Sequence, residues 1–176
     1  PLLPSEPAMQ PLLAQAHDLS RSALALSGAP VPASLRSLLR GMNSYYTNRI
    51  EGQHTRPLEI EQALRRDFSA NLELAARQRL AVAHIEAEQA VEERYAGAAG
   101  AQRLYSAEAV ADLHRELFSR LPAPDLVTTE GEAIEPGRFR QREVSVGTHV
   151  APASAAVPAL LQRWADVYGH TRRGEA

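Results

Sequence analysis

Leu35-Arg36-Ser37-Leu38-Leu39-Arg40-Gly41-Met42-Asn43-Ser44-Tyr45-Tyr46-Thr47-Asn48-Arg49-Ile50-Glu51-Gly52 has the clearest helical period in the chain. Leu35, Leu38, Leu39, Met42, Tyr45 or Tyr46, and Ile50 recur at three- and four-residue spacings. That spacing predicts a helix of about four turns with one apolar stripe to bury against a core. Ser34 is the expected N-cap, and Gly52 supplies the stop. Glu51 falls in the last turn, where a carboxylate opposes the negative end of the helix dipole. A basic group is therefore expected to meet it.

Working outward, the same period recurs on both sides. Residues 1 to 10 carry three prolines and read as irregular, and Leu12, Leu13, Ala16, Leu19, Ala23 and Leu26 then predict a helix ending near Gly28. Thr55 and Pro57 open a third helix through Ile60 and Leu64, since proline is tolerated in a first turn. Asn71 to Tyr95 predicts a long alanine-rich helix with Leu72, Ala76, Leu80, Ala83 and Ala87 on its packed face, ended by Gly97 and Gly100. Ser106 caps a fifth, with Val110, Leu113, Leu117 and Leu121 inside. A last helix presents Val157, Leu160, Leu161, Trp164 and Val167 or Tyr168.

Between Asp125 and Pro152 the helical period disappears, and Glu143-Val144-Ser145-Val146 alternates as a strand does. One short hairpin between Phe139 and Val150 is expected, with Arg138, Arg140 and Arg142 alternating onto one face. The fold class is mostly α with that single hairpin, in one domain over 1–176.

Composition bounds the function. The 19 basic and 21 acidic residues give a formal charge of −2, so no basic field argues for nucleic acid or an anionic membrane. No apolar run reaches the ~18 residues of a membrane span. The absence of cysteine removes disulfides, thiolate zinc sites and cysteine nucleophiles, and fits a reducing cytoplasm, the expected location. His84-x-Glu86-x-Glu88 and the His114, Glu116 pair lack metal-ligand spacing, and no phosphate-binding glycine loop or Ser/His/Asp arrangement occurs.

Two segments resemble the Fic-domain family, covering roughly residues 35 to 168. Thr47-x-x-x-Glu51-Gly52 resembles its Ser/Thr-x-x-x-Glu-Gly/Asn inhibitory motif. The run from Gly137 through Phe139, Arg140, Val144 and Val146 resembles its Gly-x-Phe/Tyr-Arg-x-x-x-Val-x-Val flap. The two come in the family's order. The family's catalytic signature, His-Pro-Phe-x-Asp/Glu-Gly-Asn-Gly-Arg, does not follow Trp164; His170 is succeeded by Thr171-Arg172-Arg173.

The resemblance implies the front of an autoinhibited protein adenylyltransferase. Residues 1–55 would be an N-terminal region with the inhibitory helix, and 56–176 an incomplete core with the flap at 136–152. Glu51, with Thr47 and Gly52, would oppose an arginine of the missing signature. Phe139, Arg140, Val144, Ser145 and Val146 would bind an extended target by strand addition and present its hydroxyl. The intact enzyme would use ATP and Mg2+, with no catalytic residue, metal or cofactor on this chain alone. A protein substrate and a homodimer are the implied partners, with no nucleic acid and no membrane. The competing reading is a non-catalytic helical module that binds and regulates a partner protein.

Overall fold

The computed structural model of the protein describes residues 6–27, 32–97, 100, 103–128 and 131–169. The chain is mostly helical. It divides into two units, Pro1–Leu38 and Leu39–Ala176, each taken by itself.

The first unit holds α1, Glu6–Ser27. It begins earlier than expected, because Pro7 falls in the first turn where its missing donor is not needed. Pro11 lies inside the helix. Leu12, Leu13, Leu19 and Leu24 are exposed.

The second unit is organised around α4, Leu72–Arg94. Its start is set by Asn71, whose side chain accepts from the Leu74 N–H at 3.0 Å. Near its end Gly97 takes a left-handed φ of 77°. Small residues bury it on several sides at once: Ala75, Ala81, Ala83 and Ala87, with Val82, Ile85 and Gln78. The expected face was misplaced at one end, since Leu72 is 83% exposed. Two hydrogen bonds tie the Gln78 side chain to the backbone of its neighbours. Its amide donates to the Glu59 carbonyl at 3.0 Å, and its Oε1 accepts from the Ser69 N–H at 2.8 Å.

Three helices surround α4. The first, α2, spans Ala33–Ile50 and crosses from one unit into the other. Pro32, not Ser34, offers the carbonyl that starts it, bonding Leu35 N and Arg36 N at 3.0 and 3.1 Å. The second, α3, is Pro57–Leu64. Here Glu59 reaches back to the Arg56 N–H at 2.7 Å, and that bond, with the Arg56 guanidinium, holds its carboxyl below the usual range. The third, α5, is Ala107–Phe118, capped by Ser106 accepting from Ala109 N at 3.0 Å. Ala109 and Leu121 are buried there, whereas Leu113 is partly exposed, against expectation. The last helix, α6, is Val157–Gly169, with Trp164 against Tyr105 at 5.5 Å between ring centres.

The expected burial of α2's apolar stripe is reversed. Leu35, Leu38, Leu39, Met42, Tyr46 and Ile50 are exposed, and Ser44 and Asn48, on the opposite side of the helix, are buried. Only Tyr45 joins the core, against Ile60, Ala81 and Ile85. The physical reason is Ser44: its small side chain lets α2 approach α4 closely enough for Oγ to donate to the Ala81 carbonyl at 2.9 Å.

Among the described residues the strands are β1, Ser145–Val146, paired antiparallel with β2, His149–Val150, besides an isolated bridge between Val127 and Ala133. The hairpin is shorter than expected: residues 139–144 are not strand. Among the described residues no helix is long and apolar enough to cross a membrane.

Candidate functional site

Two regions carry the residues singled out in the sequence. The first is the end of α2. Gly52 N donates to the Arg49 carbonyl at 3.1 Å and Gln53 N to the Asn48 carbonyl at 2.8 Å, while Gly52 adopts φ 78°. This is a Schellman turn, in which the glycine occupies the left-handed position that other residues resist. Glu51 is thereby the C-cap, and Thr47 stands one turn below it; both are exposed.

Among the described residues no cation stands opposite Glu51. Among the described residues its carboxylate makes no hydrogen bond or ion pair. Arg49, the basic residue of that last turn, instead turns back to donate to the Tyr45 hydroxyl at 2.8 Å, its guanidinium 5.9 Å from the ring centre. A positive side chain near a helix C-terminus offsets the dipole by itself, which leaves Glu51 free to meet something else.

The second region is the hairpin and the segment leading into it. Gly147 turns the chain between the strands with φ 59°, and Ala151 N donates to the Val144 carbonyl at 2.9 Å. Arg140 does not alternate onto a strand face. Its guanidinium donates to the Arg142 carbonyl at 2.6 Å and to the Pro152 carbonyl, clasping the two legs of the hairpin together. Ser154 completes the clasp: its N–H and hydroxyl both donate to Glu143, at 3.0 and 3.1 Å. Those bonds, the backbone one first, hold the Glu143 carboxyl below its usual range. Arg138 pairs with Glu135, and Arg142 with Glu132 at 2.6 Å. Phe139 and Val144 are half-buried and Ser145 is exposed; the side chain of Val146 lies outside the described set.

Two clefts flank this leading segment. One, of about 460 Å³, runs between α5 and the chain from Thr128 to Arg142, with His114 in its wall. The other, of about 560 Å³, lies toward Ser154 and Pro158. In the sequence His114 shows only a lack of metal-ligand spacing; the fold gives it a hydrogen-bond partner. Its Nδ1 accepts the Gly137 N–H at 2.8 Å while its ring packs on Phe118 at 4.5 Å. The Pro136-Gly137 dipeptide was the available signal, since it marks a turn whose amide needs a partner.

Among the described residues, no hydrogen bond or ion pair joins the Glu51 set to the hairpin set. Chemically, the first offers an exposed carboxylate to an incoming cation. The second is a two-residue antiparallel pair on a clasped base. No group of three or more His, Asp or Glu converges as metal ligands among the described residues. No protein-family model, no curated protein and no solved structure matches this chain.

Proposed function

We propose that this chain is the front portion of an autoinhibited Fic-type protein adenylyltransferase, with α2 as its inhibitory helix and the hairpin as its target clamp. The observation that carries the reading is Glu51, an exposed C-cap carboxylate at the end of the motif helix with no partner among the described residues. A bidentate bond from that carboxylate to an arginine is strong and geometrically specific, and an arginine so held cannot also bind a nucleotide phosphate.

In the proposed reaction a target hydroxyl oxygen attacks the α-phosphorus of ATP, the bond to the β-phosphate breaks, and pyrophosphate leaves as AMP is retained. The proton-accepting base, the anion cradle and the arginine belong to a signature that residues 1–176 do not contain. Magnesium would accompany ATP in the intact enzyme; among this chain's described residues no three metal-ligating side chains converge. Its own contribution is to restrain, through Glu51, and to present, through the hairpin, where Arg140 and Ser154 fix the legs so that an added strand meets a preformed edge.

The test is transfer of label from α-³²P-ATP by a protein that carries both this chain and the signature. Glu51→Gly should raise transfer about ten- to hundredfold, the equivalent of losing one charge-assisted pair of ~1.5–3 kcal/mol from the inhibited state. The 176-residue chain should transfer nothing with either residue at position 51. Unchanged transfer by the Glu51→Gly protein sinks the inhibitory role, and transfer by the isolated chain sinks the family reading.

A second reading, a non-catalytic module that binds and regulates a partner protein, is favoured by the exposed apolar stripe of α2. Label transfer by the complete protein excludes it.

A further inference from the structure

We propose that His114 is a proton-operated latch on the base of the hairpin: the neutral ring holds Gly137, and protonation at Nδ1 releases the segment that leads into β1. The inference does not depend on the proposed enzymatic function.

The latch follows from what each atom can donate. Gly137 N–H points at Nδ1 at 2.8 Å, so in the neutral ring Nδ1 is the acceptor and Nε2 carries the proton. In the imidazolium both nitrogens are donors. A donor then faces a donor, and the bond cannot persist. Gly137 has little freedom to find another partner in place, because its φ of 82° fixes the turn and the Arg115 side chain lies against its Cα. A Cβ built there would come within 2.8 Å of the Arg115 Nε.

The charged groups that face the ring are already partnered. Arg115 is the next residue on α5. Across the cleft stand Glu132, Glu135, Arg138, Arg140 and Arg142, and α6 contributes no charged residue to its wall among the described residues. Both carboxylates are already taken, Glu135 by Arg138 and Glu132 by Arg142, and Arg140 is bound to backbone carbonyls. Burial of the ring acts in the same direction, holding His114 below its ordinary value of 6.5. The sign is that of a cation disfavoured by the folded state. The latch is fully shut above about pH 6.5 and opens as pH falls from there through the lowered folded value.

The experiment uses the whole ¹⁵N-labelled chain from about pH 7.5 to about 4.5, reading the ring nitrogens of His114 by two-bond ¹H–¹⁵N spectra and backbone protection by hydrogen exchange. Nδ1 should be unprotonated at neutral pH. Across the ring's midpoint, protection of the Gly137 and Ala151 amides should fall about tenfold after correction for intrinsic rates, while α4 stays protected. His114→Phe keeps an aromatic ring beside Phe118 and removes the acceptor, so its Gly137 amide should be unprotected at every pH. If that variant does not fold, the coincidence of midpoints in the parent decides. A proton on Nδ1 at neutral pH, a ring that never titrates in this range, Gly137 protection unchanged through its midpoint, or simultaneous loss of α4 protection each overturns the latch.

Discussion

The two sides of α4 are held by different chemistry. Toward α5 the seam combines small buried residues with a connected ion network: Tyr95 donates to Asp112 at 3.1 Å, Arg94 pairs with Glu116, and Glu116 also holds Arg120 at 2.7 Å. Those bonds, that from Arg120 foremost, keep the Glu116 carboxyl below its usual range. Toward α2 the seam is polar at its centre. Ser44 and Asn48 are buried there, Asn43 donates to Glu88 at 3.0 Å, and Arg40 pairs with Glu92. Among the described residues, Arg40 Nε on α2 and His84 Nδ1 and Arg77 Nε on α4 are buried without a hydrogen-bond partner. Hydrogen-bonded contacts stabilise by about 1 kcal/mol each, less than the burial of a large apolar side chain. Tyr45 is the α2 ring packed on Ile60, Ala81 and Ile85, and the rest of that seam is polar, so the α5 seam is expected to be the stronger of the two and α2 the first element to open.

The largest expected loss of stability lies at Tyr95. The ring is 5% exposed, and its hydroxyl bonds Asp112. Tyr95→Ala should cost about 3–5 kcal/mol, the range for deleting a buried aromatic, and lower the midpoint of chemical unfolding for the whole second unit. A loss under about 1 kcal/mol would place the main cohesion of α4 elsewhere.

That asymmetry was only partly legible in the sequence. The limits of α4 could be read because caps are local: Asn71 needs only Leu74, and at the other end Tyr95 caps the helix by bonding back to the Val91 carbonyl, four residues away. The Schellman turn at Gly52 was legible for the same reason. The inward face of α2 was not. An apolar stripe shows that a helix is two-sided, but which side meets α4 was settled by a hydroxyl whose partner, the Ala81 carbonyl, lies 37 residues away. The hairpin shows the same division. Its turn at Gly147 is local, whereas Arg140 sits in an alternating pattern that suggests a strand, and its position is decided by Pro152, twelve residues on. His114 and Gly137, 23 residues apart, were out of reach until the fold brought them together.

A smaller effect sharpens the distinction. Ser44→Ala removes the donor to Ala81 and the acceptor of the Asn48 amide, which lies 3.2 Å from Ser44 Oγ. The cost should be about 1–2 kcal/mol, confined to one seam. Hydrogen exchange should show the amides of residues 39–50 exchanging about ten times faster, with those of α4 and α5 unchanged. Uniform acceleration through all three helices would mean that α2 is cooperative with the core and not separable from it.

The smallest effect tests the outer face of the same helix. Ile50 is 83% exposed and continues the stripe of Leu39, Met42 and Tyr46. If the second unit buries this face against nothing of its own, Ile50→Ser removes little that folding had taken from water, and its stability should change by no more than about 0.5 kcal/mol. The same substitution should leave the Schellman turn intact, since Gly52 and Gln53 bond through backbone atoms to Arg49 and Asn48 and not through residue 50. Solubility would then improve while the unfolding midpoint holds still. A midpoint that drops by 1 kcal/mol or more, and that depends on protein concentration, would instead mean that the stripe is covered in solution by a second molecule. The polar and apolar faces of α2 would then both be interfaces, one to α4 and one to that molecule, and its weak attachment to α4 would be completed from outside.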